Sequence, residues 1–216
     1  MLQKLPDAVL WDMDGTLIDQ TASILRCYRE VLYKMGYDVP SDYTIIRSLG
    51  GPLASTLSEL LPIEQVDKGS ELFRNLFPQY MFEGMKVLEG ANELIEKLDS
   101  KNVQQAIITN KQGENARKVS AKCGFDKIIK ICVGNGDNAF KKPEQGFTES
   151  VLNQLHGPLE TIVLIGDSPT DVQTALNYGI LVIGVSTGAH SIEELMDSGA
   201  DIAFTSLLDV IKHWSL

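Results

Sequence analysis

The sequence predicts an α/β protein: a doubly wound parallel sheet interrupted, just after its first strand, by an all-helical insert. Three observations carry this expectation. Five short runs, at residues 8–11, 106–108, 128–133, 162–165 and 181–185, stay apolar on both faces and are rich in β-branched residues. That is the pattern of strands covered by helices on both sides. Amphipathic segments at residues 91–98, 114–123, 147–155 and 171–178 separate most of these runs, the rhythm of right-handed βαβ units. Residues 19–84 break that rhythm with helical patterning and no convincing strand.

Taken in order, the first run, Ala8-Val9-Leu10-Trp11, ends abruptly at Asp12, and Gly15 supplies a turn. The first helix of the insert carries Ile24, Tyr28, Val31, Leu32 and Met35 on one face and stops at Gly36. Further helices are expected at residues 53–61 and 65–77. An insert that leaves the carboxyl end of a strand overhangs the crevice where such sheets bind ligands. Residues 19–84 therefore read as a cap domain, and residues 1–18 with 85–216 as the core domain.

Composition narrows the function. The 216 residues are 44% hydrophobic and 22% charged, with a formal net charge of −10. These values exclude a disordered or fibrous chain, and the negative field opposes a general binder of nucleic acid or anionic membrane. The opening MLQKLPDAVLWDMDG has no long apolar run, so no secretory leader is expected. No stretch approaches the roughly 20 apolar residues of a membrane helix. Cys27, Cys123 and Cys132 form no paired motif, which points to a reduced, cytoplasmic setting.

The chemistry gathers at strand ends. In Asp12-Met13-Asp14-Gly15-Thr16, residues two apart on a strand share a side, so Asp12 and Asp14 point together and call for a cation or a proton. A calcium loop begun at Asp12 fails, because Leu17 and Ser23 stand where glycine and glutamate are needed. After the fourth run come Gly166-Asp167-Ser168-Pro169-Thr170-Asp171. Here Ser168 suits a helix N-cap and Asp171 the first turn, but neither role explains Asp167. A cation shared by Asp12, Asp14, Asp167 and Asp171 explains all four; with no nearby His or Cys it is a hard ion, Mg²⁺. Thr109-Asn110 ends the second run where a helix is about to begin, and Lys142-Pro143 follows the third. Taken singly, Thr109 suits a helix cap and Lys142 a solvated surface. Gly134-Asn135-Gly136-Asp137-Asn138-Ala139 fits a dinucleotide fingerprint, but Pro143 interrupts the helix it requires. His156, His190 and His213 are scattered and form no ligand pair.

Together these four motifs, each after an apolar strand and in this order, resemble the haloacid dehalogenase superfamily. The helical insert matches its first cap type, and within the family the chain looks most like the phosphoglycolate phosphatase and β-phosphoglucomutase branch. One departure is Glu144-Gln145, where relatives often carry a second proline. The resemblance implies that Asp12 is a nucleophile forming an aspartyl-phosphate and that Asp14 is the general acid and base. It implies Mg²⁺ on the Asp12 side chain, the Asp14 carbonyl and Asp167, with Asp171 direct or through water. Thr109, the Asn110 backbone and Lys142 would bind phosphoryl oxygens. In the insert, Arg47-Ser48-Leu49-Gly50-Gly51-Pro52 is the stretch expected to face the site. Arg47 would meet a substrate anion there and Gly50 and Gly51 would shape the turn; the alternative is a helix end with a solvated arginine.

The implied function is a Mg²⁺-dependent phosphatase for a small phosphorylated metabolite, phosphoglycolate-like or a sugar phosphate, working as a monomer or homodimer without nucleic acid or membrane. A phosphomutase shares every core residue named here, and a pyrophosphatase or a non-enzymatic phospho-receiver are further alternatives. A dehalogenase normally lacks the second acid, which Asp14 supplies. A phosphonate hydrolase needs a cap lysine, for which Lys34 is the one candidate before Gly50 and reads as a helix-end charge.

Overall fold

Alternation of side chains along buried strands sets the layout. Strand β1 (Ala8–Trp11) is buried at every position and feeds two cores at once. Val9 and Trp11 enter one, Ala8 and Leu10 the other. The computed structural model describes residues 4–216. Beyond β1 the chain forms β2 (Ile18–Asp19) and four helices, α1 (Thr21–Met35), α2 (Asp42–Arg47), α3 (Leu53–Leu60) and α4 (Val66–Tyr80). It returns through β3 (Lys86–Val87), α5 (Ala91–Ser100), β4 (Gln104–Gln112), α6 (Gly113–Cys123) and β5 (Ile131–Asn135). It then makes α7 (Gln145–Leu152), β6 (Ile162–Gly166), α8 (Pro169–Tyr178), β7 (Leu181–Val185), α9 (Ile192–Asp197), β8 (Ile202–Phe204) and α10 (Leu207–His213).

Six strands form one sheet in the order β5-β4-β1-β6-β7-β8, every neighbouring pair parallel. The chain builds outward from β1 on one side and then crosses back to β6 on the other. That reversal opens a crevice between the carboxyl ends of β1 and β6. The doubly wound sheet expected from the sequence is thus present. Each inner strand splits like β1: Val163 and Ile165 face one core, Ile162 and Leu164 the other. Trp11 keeps its indole N–H satisfied within this layer by donating to Gln105 Oε1 at 3.1 Å.

Helices α1 to α4 build a third cluster from Leu25, Tyr28, Val31, Leu32, Ile45 and Leu57, among others. Helix α1 ends as expected at Gly36, whose φ of +80° and backbone bonds to Leu32 and Tyr33 close the last turn. Several bounds differ from the sequence reading. Asp19, placed in the strand-free insert, pairs with Lys86 in the short β2–β3 ribbon. Helix α2 is too short to show an apolar period, yet its N-cap Ser41 accepts from the Thr44 amide. Strand β8 escapes notice because it is three half-buried residues at the sheet edge. Strand β4 runs on to Gln112, and β5 starts only at Ile131 because Phe125–Lys127 takes up a 3₁₀ turn. Among the described residues no helix is long and apolar enough to cross a membrane.

Phe147 of α7 is wholly buried in the core that Ala8, Leu10 and Leu164 share. Removing its ring leaves a cavity that the packed neighbours only partly close. Phe147→Ala should therefore cost about 3–5 kcal/mol of unfolding free energy in urea titration. A loss below about 1 kcal/mol would show that α7 repacks freely.

Candidate active site

Three strand ends and one loop meet at the β1–β6 crevice. Asp12 follows β1, Thr109 and Asn110 lie near the end of β4, Lys142 sits on the loop after β5, and Asp167 follows β6. Lys142 joins them. Its Nζ lies 2.5 Å from Asp12 Oδ1 and 2.7 Å from Asp171 Oδ1, and its side chain is only 2% exposed. The solvated-surface alternative for this lysine is therefore wrong. Asn110 holds the Lys142 main chain at both ends: Lys142 N donates to Asn110 Oδ1 at 3.0 Å, and Asn110 Nδ2 donates to the Lys142 carbonyl at 3.2 Å.

The acidic partners are packed around glycine. Gly15 has φ +86°, and a Cβ there would lie 2.4 Å from Asp167 Oδ2. A Cβ on Gly188 would lie 1.7 Å from the same oxygen, so the chain approaches Asp167 more closely than any side chain allows. Thr16 Oγ1 donates to Asp167 Oδ1 at 3.2 Å. Asp171 fills the helix role anticipated for it, with a capping box in which the Ser168 amide and hydroxyl both donate to its Oδ2. Its other oxygen is the one that meets Lys142.

Electrostatics set these acids apart. Burial pushes the Asp12 carboxyl up to about 7, Lys142 opposing the rise and the Asp171 and Asp14 charges adding to it. Burial also holds Asp167 well above the ordinary carboxylate range, with Asp12 and Asp171 repelling its charge. Burial works against the Lys142 ammonium, but the two carboxylates outweigh it and raise its pKa. Asp12, Asp167 and Asp171 each offer a carboxylate oxygen, all within 4.8 Å of one another. Three crowded acids beside one lysine, which pairs with Asp12 and Asp171 but not Asp167, are under-neutralised, and an all-carboxylate set suits a hard divalent cation.

Asp14 stands at the rim with its side chain 27% exposed, and its Oδ2 lies 2.7 Å from Lys111 Nζ. Its buried Oδ1 has no hydrogen-bond partner among the described residues. Lys111 is a site residue that the sequence reading does not name. Its ammonium also lies 4.8 Å from the centre of the Phe77 ring on α4. The signal for it was present: Lys111 lies two residues beyond Thr109 at a strand end. Thr109, 2% exposed, accepts from the Lys111 amide at 3.2 Å; because α6 begins only at Gly113, it caps no helix.

Asp12, Asp14, Thr109, Asn110, Lys111, Lys142 and Asp167 line one cavity of about 580 Å³, with Asp171 behind them, and α1 to α4 with the loops between them supply much of its opposite wall. Gly50 and Gly51 line it, and the Gly50 carbonyl oxygen lies 3.3 Å from Ser168 Oγ. Arg47 does not line it. Its guanidinium donates to the Ala189 carbonyl at 2.6 Å and pairs with Glu194, so the anion it was expected to meet is a side chain of this protein.

The raised acids make stability fall with pH when no cation is bound. Between about pH 4 and pH 7 the folded chain keeps a proton on Asp12 that the unfolded chain has lost, so the stabilisation present below the unfolded pKa disappears as pH rises. Urea midpoints should drop across that window and recover at pH 7 when Mg²⁺ is added. Asp12→Asn should flatten the slope; an unchanged slope would remove Asp12 as its source.

Comparison with known proteins accords with this geometry. A Vibrio parahaemolyticus phosphoglycolate phosphatase is 22% identical over 98% of this chain and 97% of its own length. A Caldanaerobacter subterraneus protein provisionally named pyrophosphatase PpaX is 26% identical over 95% of this chain and 93% of its own. The solved structure of a Streptococcus pneumoniae haloacid dehalogenase-like family hydrolase superposes with a TM-score of 0.87, covering 99% of this chain and all of that one at 21% identity. The family model for haloacid dehalogenase-like hydrolases matches residues 9–185, and the chain belongs to that family.

Proposed function

We propose that this hydrolase is a Mg²⁺-dependent phosphatase acting on a small phosphate monoester through an aspartyl-phosphate on Asp12. The observation that carries this reading is the convergence of Asp12, Asp14, Lys142 and Asp167 on one cavity at the crevice. Asp12, Asp167 and the Asp14 main chain would hold the ion, with Asp171 behind them. When bound, it supplies the positive charge that lets a carboxylate approach an anionic phosphoryl group.

The chain's own groups account for the rest. An Asp12 oxygen forms a bond to phosphorus as the bond from phosphorus to the alcohol oxygen breaks, and Asp14 gives the departing alkoxide a proton. Asp14 then takes a proton from water, whose oxygen attacks phosphorus and releases Asp12 and orthophosphate. Lys142, the Thr109 hydroxyl and the Asn110 amide of the backbone stabilise the non-bridging oxygens. Residues 19–84 act as the cap over a core of residues 1–18 and 85–216, with Gly50 and Gly51 shaping the turn at the cavity. Three free thiols, Cys27, Cys123 and Cys132, suit a reducing cytoplasm. The Caldanaerobacter relative favours pyrophosphate as a second reading. Orthophosphate release from a panel of esters and pyrophosphate, with and without chelator, decides between them, and full activity in excess chelator would refute both.

Two substitutions separate the roles. Asp167→Asn should lower Mg²⁺ affinity and turnover more than Asp171→Asn, because both Asp171 oxygens already have partners within the protein. General acid catalysis is worth about 10²–10⁴-fold, so Asp14→Asn should lose that much on alkyl esters and far less on nitrophenyl phosphate. On the aryl ester it should form phosphoenzyme quickly and hydrolyse it slowly, giving a nitrophenolate burst proportional to enzyme in rapid mixing. Uniform loss on both esters without a burst would leave Asp14 only a structural part.

A further inference from the structure

The acids and lysines occupy the sheet side of the cavity, whereas the helical side carries a largely apolar and incomplete wall. Ile24, Ile46, Leu49, Leu53 and Phe73 all pack on the cluster around Tyr28, Leu57 and Phe77, yet all stay half-buried and all line the cavity. They come from all four helices and the turn after α2, so each helix spends part of its apolar face on this space. Apolar surface left facing water carries a cost proportional to its area, and nothing else in the described chain covers it. The wall is also aromatic. Phe73 stacks on Phe77 with ring centres 5.3 Å apart and meets Tyr28 at 4.6 Å.

Two polar side chains on this side already spend their donors within the protein, and here only Gln20 Oε1 is a buried acceptor without a partner among the described residues. Thr56 Oγ1 donates to the Ser48 carbonyl at 2.6 Å, and Gln20 Nε2 donates to the Met81 carbonyl. Beyond the one hydroxyl that Gln20 Oε1 could accept from, a polyol lying against Ile24, Ile46, Leu49, Leu53 and Phe73 would bury hydroxyls without partners, which is costly for each one. Arg74 lines the same side but is exposed, so water satisfies its charge without a ligand. The volume, about 580 Å³, falls within the roughly 300–1,000 Å³ of clefts that enclose drug-sized ligands. A phosphoryl group with a two-carbon body fills little of that.

We propose that the substrate is a phosphate monoester whose alcohol portion is apolar and of aromatic size, its phosphoryl end among the acids and its body against Leu49, Leu53 and Phe73. The proposal rests on the phosphatase reading for its chemistry, and on the cavity wall alone for the body it selects.

The test compares 2-phenylethyl phosphate, ethyl phosphate, glucose 6-phosphate and phosphoglycolate in Mg²⁺ buffer. The first three release primary alkoxides, so differences among them report the body and not the leaving group. The kcat/KM for 2-phenylethyl phosphate should exceed those of the others by at least about tenfold. In Leu53→Ser and Phe73→Ala its ratio to ethyl phosphate should fall about tenfold. Preference for the sugar ester or for phosphoglycolate, or ratios unmoved in both variants, overturns the proposal. Calorimetry with 2-phenylethylphosphonate and ethylphosphonate reads the wall without turnover. Tighter binding of the phenyl compound, by about tenfold and with a more negative heat-capacity change, supports it even if no ester is cleaved, in which case only the phosphatase chemistry fails. Equal affinities overturn it.

Discussion

The buried ion cluster centred on Lys142 is the constraint on which the site depends. An ammonium and three carboxylates enclosed in the interior cost several kcal/mol each in lost hydration, and only close geometry recovers it. That geometry is assembled from distant parts of the chain: Asp12 from β1, Asp171 from α8, and Lys142 from a loop that Asn110 clamps to the end of β4. The sheet order is what makes this possible, since it puts β4 and β6 on either side of β1. A lysine on a free loop would remain in water; this one is committed by its own backbone bonds before its side chain is considered. Asp167 is left with Thr16 as its side-chain partner, and it is the acid with most to gain from a cation.

The same crowding explains the glycines. Gly15 and Gly188 face Asp167 from separate turns, and a methyl group on either would overlap its carboxylate. Small residues there are a consequence of bringing backbone up to a charged oxygen, whatever local turn each belongs to. Gly50 meets a similar limit on the helical side, where its Cβ would come within 2.8 Å of the Ser168 Cβ. With Arg47 held by Glu194 and Ala189, these contacts fasten the helical segment to the sheet beside the cavity instead of over its centre.

The sequence makes the sheet legible because strands covered on both faces must be apolar on both faces, and β1 and β7 match their runs residue for residue. Short or half-buried elements leave no such trace, which is why β8 and α2 were missing from the expectation. The acids after β1 and β6 stand out because an unpaired carboxylate at the end of a buried strand has no structural explanation. Lys142 and Arg47 show the limit. Each is a basic residue near a turn, and local sequence says nothing about what faces it. One is drawn into the interior by acids more than 25 positions away in either direction, while the other is claimed by Glu194, whose own helix cap was equally silent about it. Pairing over long separations is decided by topology, and periodicity does not record it.

Asp12 and Asp14 show how the fold divides two chemically identical groups. They leave the same strand on the same side, but Asp12 falls against Lys142 and is 7% exposed, while Asp14 turns outward to Lys111. The first environment encloses a carboxylate beside other acids, fixing one oxygen on the lysine and leaving its charge in need of further neutralisation. The second leaves a carboxylate at the cavity rim, with one oxygen on a lysine and the other without a partner among the described residues. Lys111 in turn lies against Phe77, a residue of the helical cluster, so the second acid sits at the seam between sheet and helices. A group fixed deep in the sheet is suited to holding a reacting atom in place. A partly exposed carboxylate at the seam, lining the cavity, is suited to exchanging protons with whatever the helices enclose.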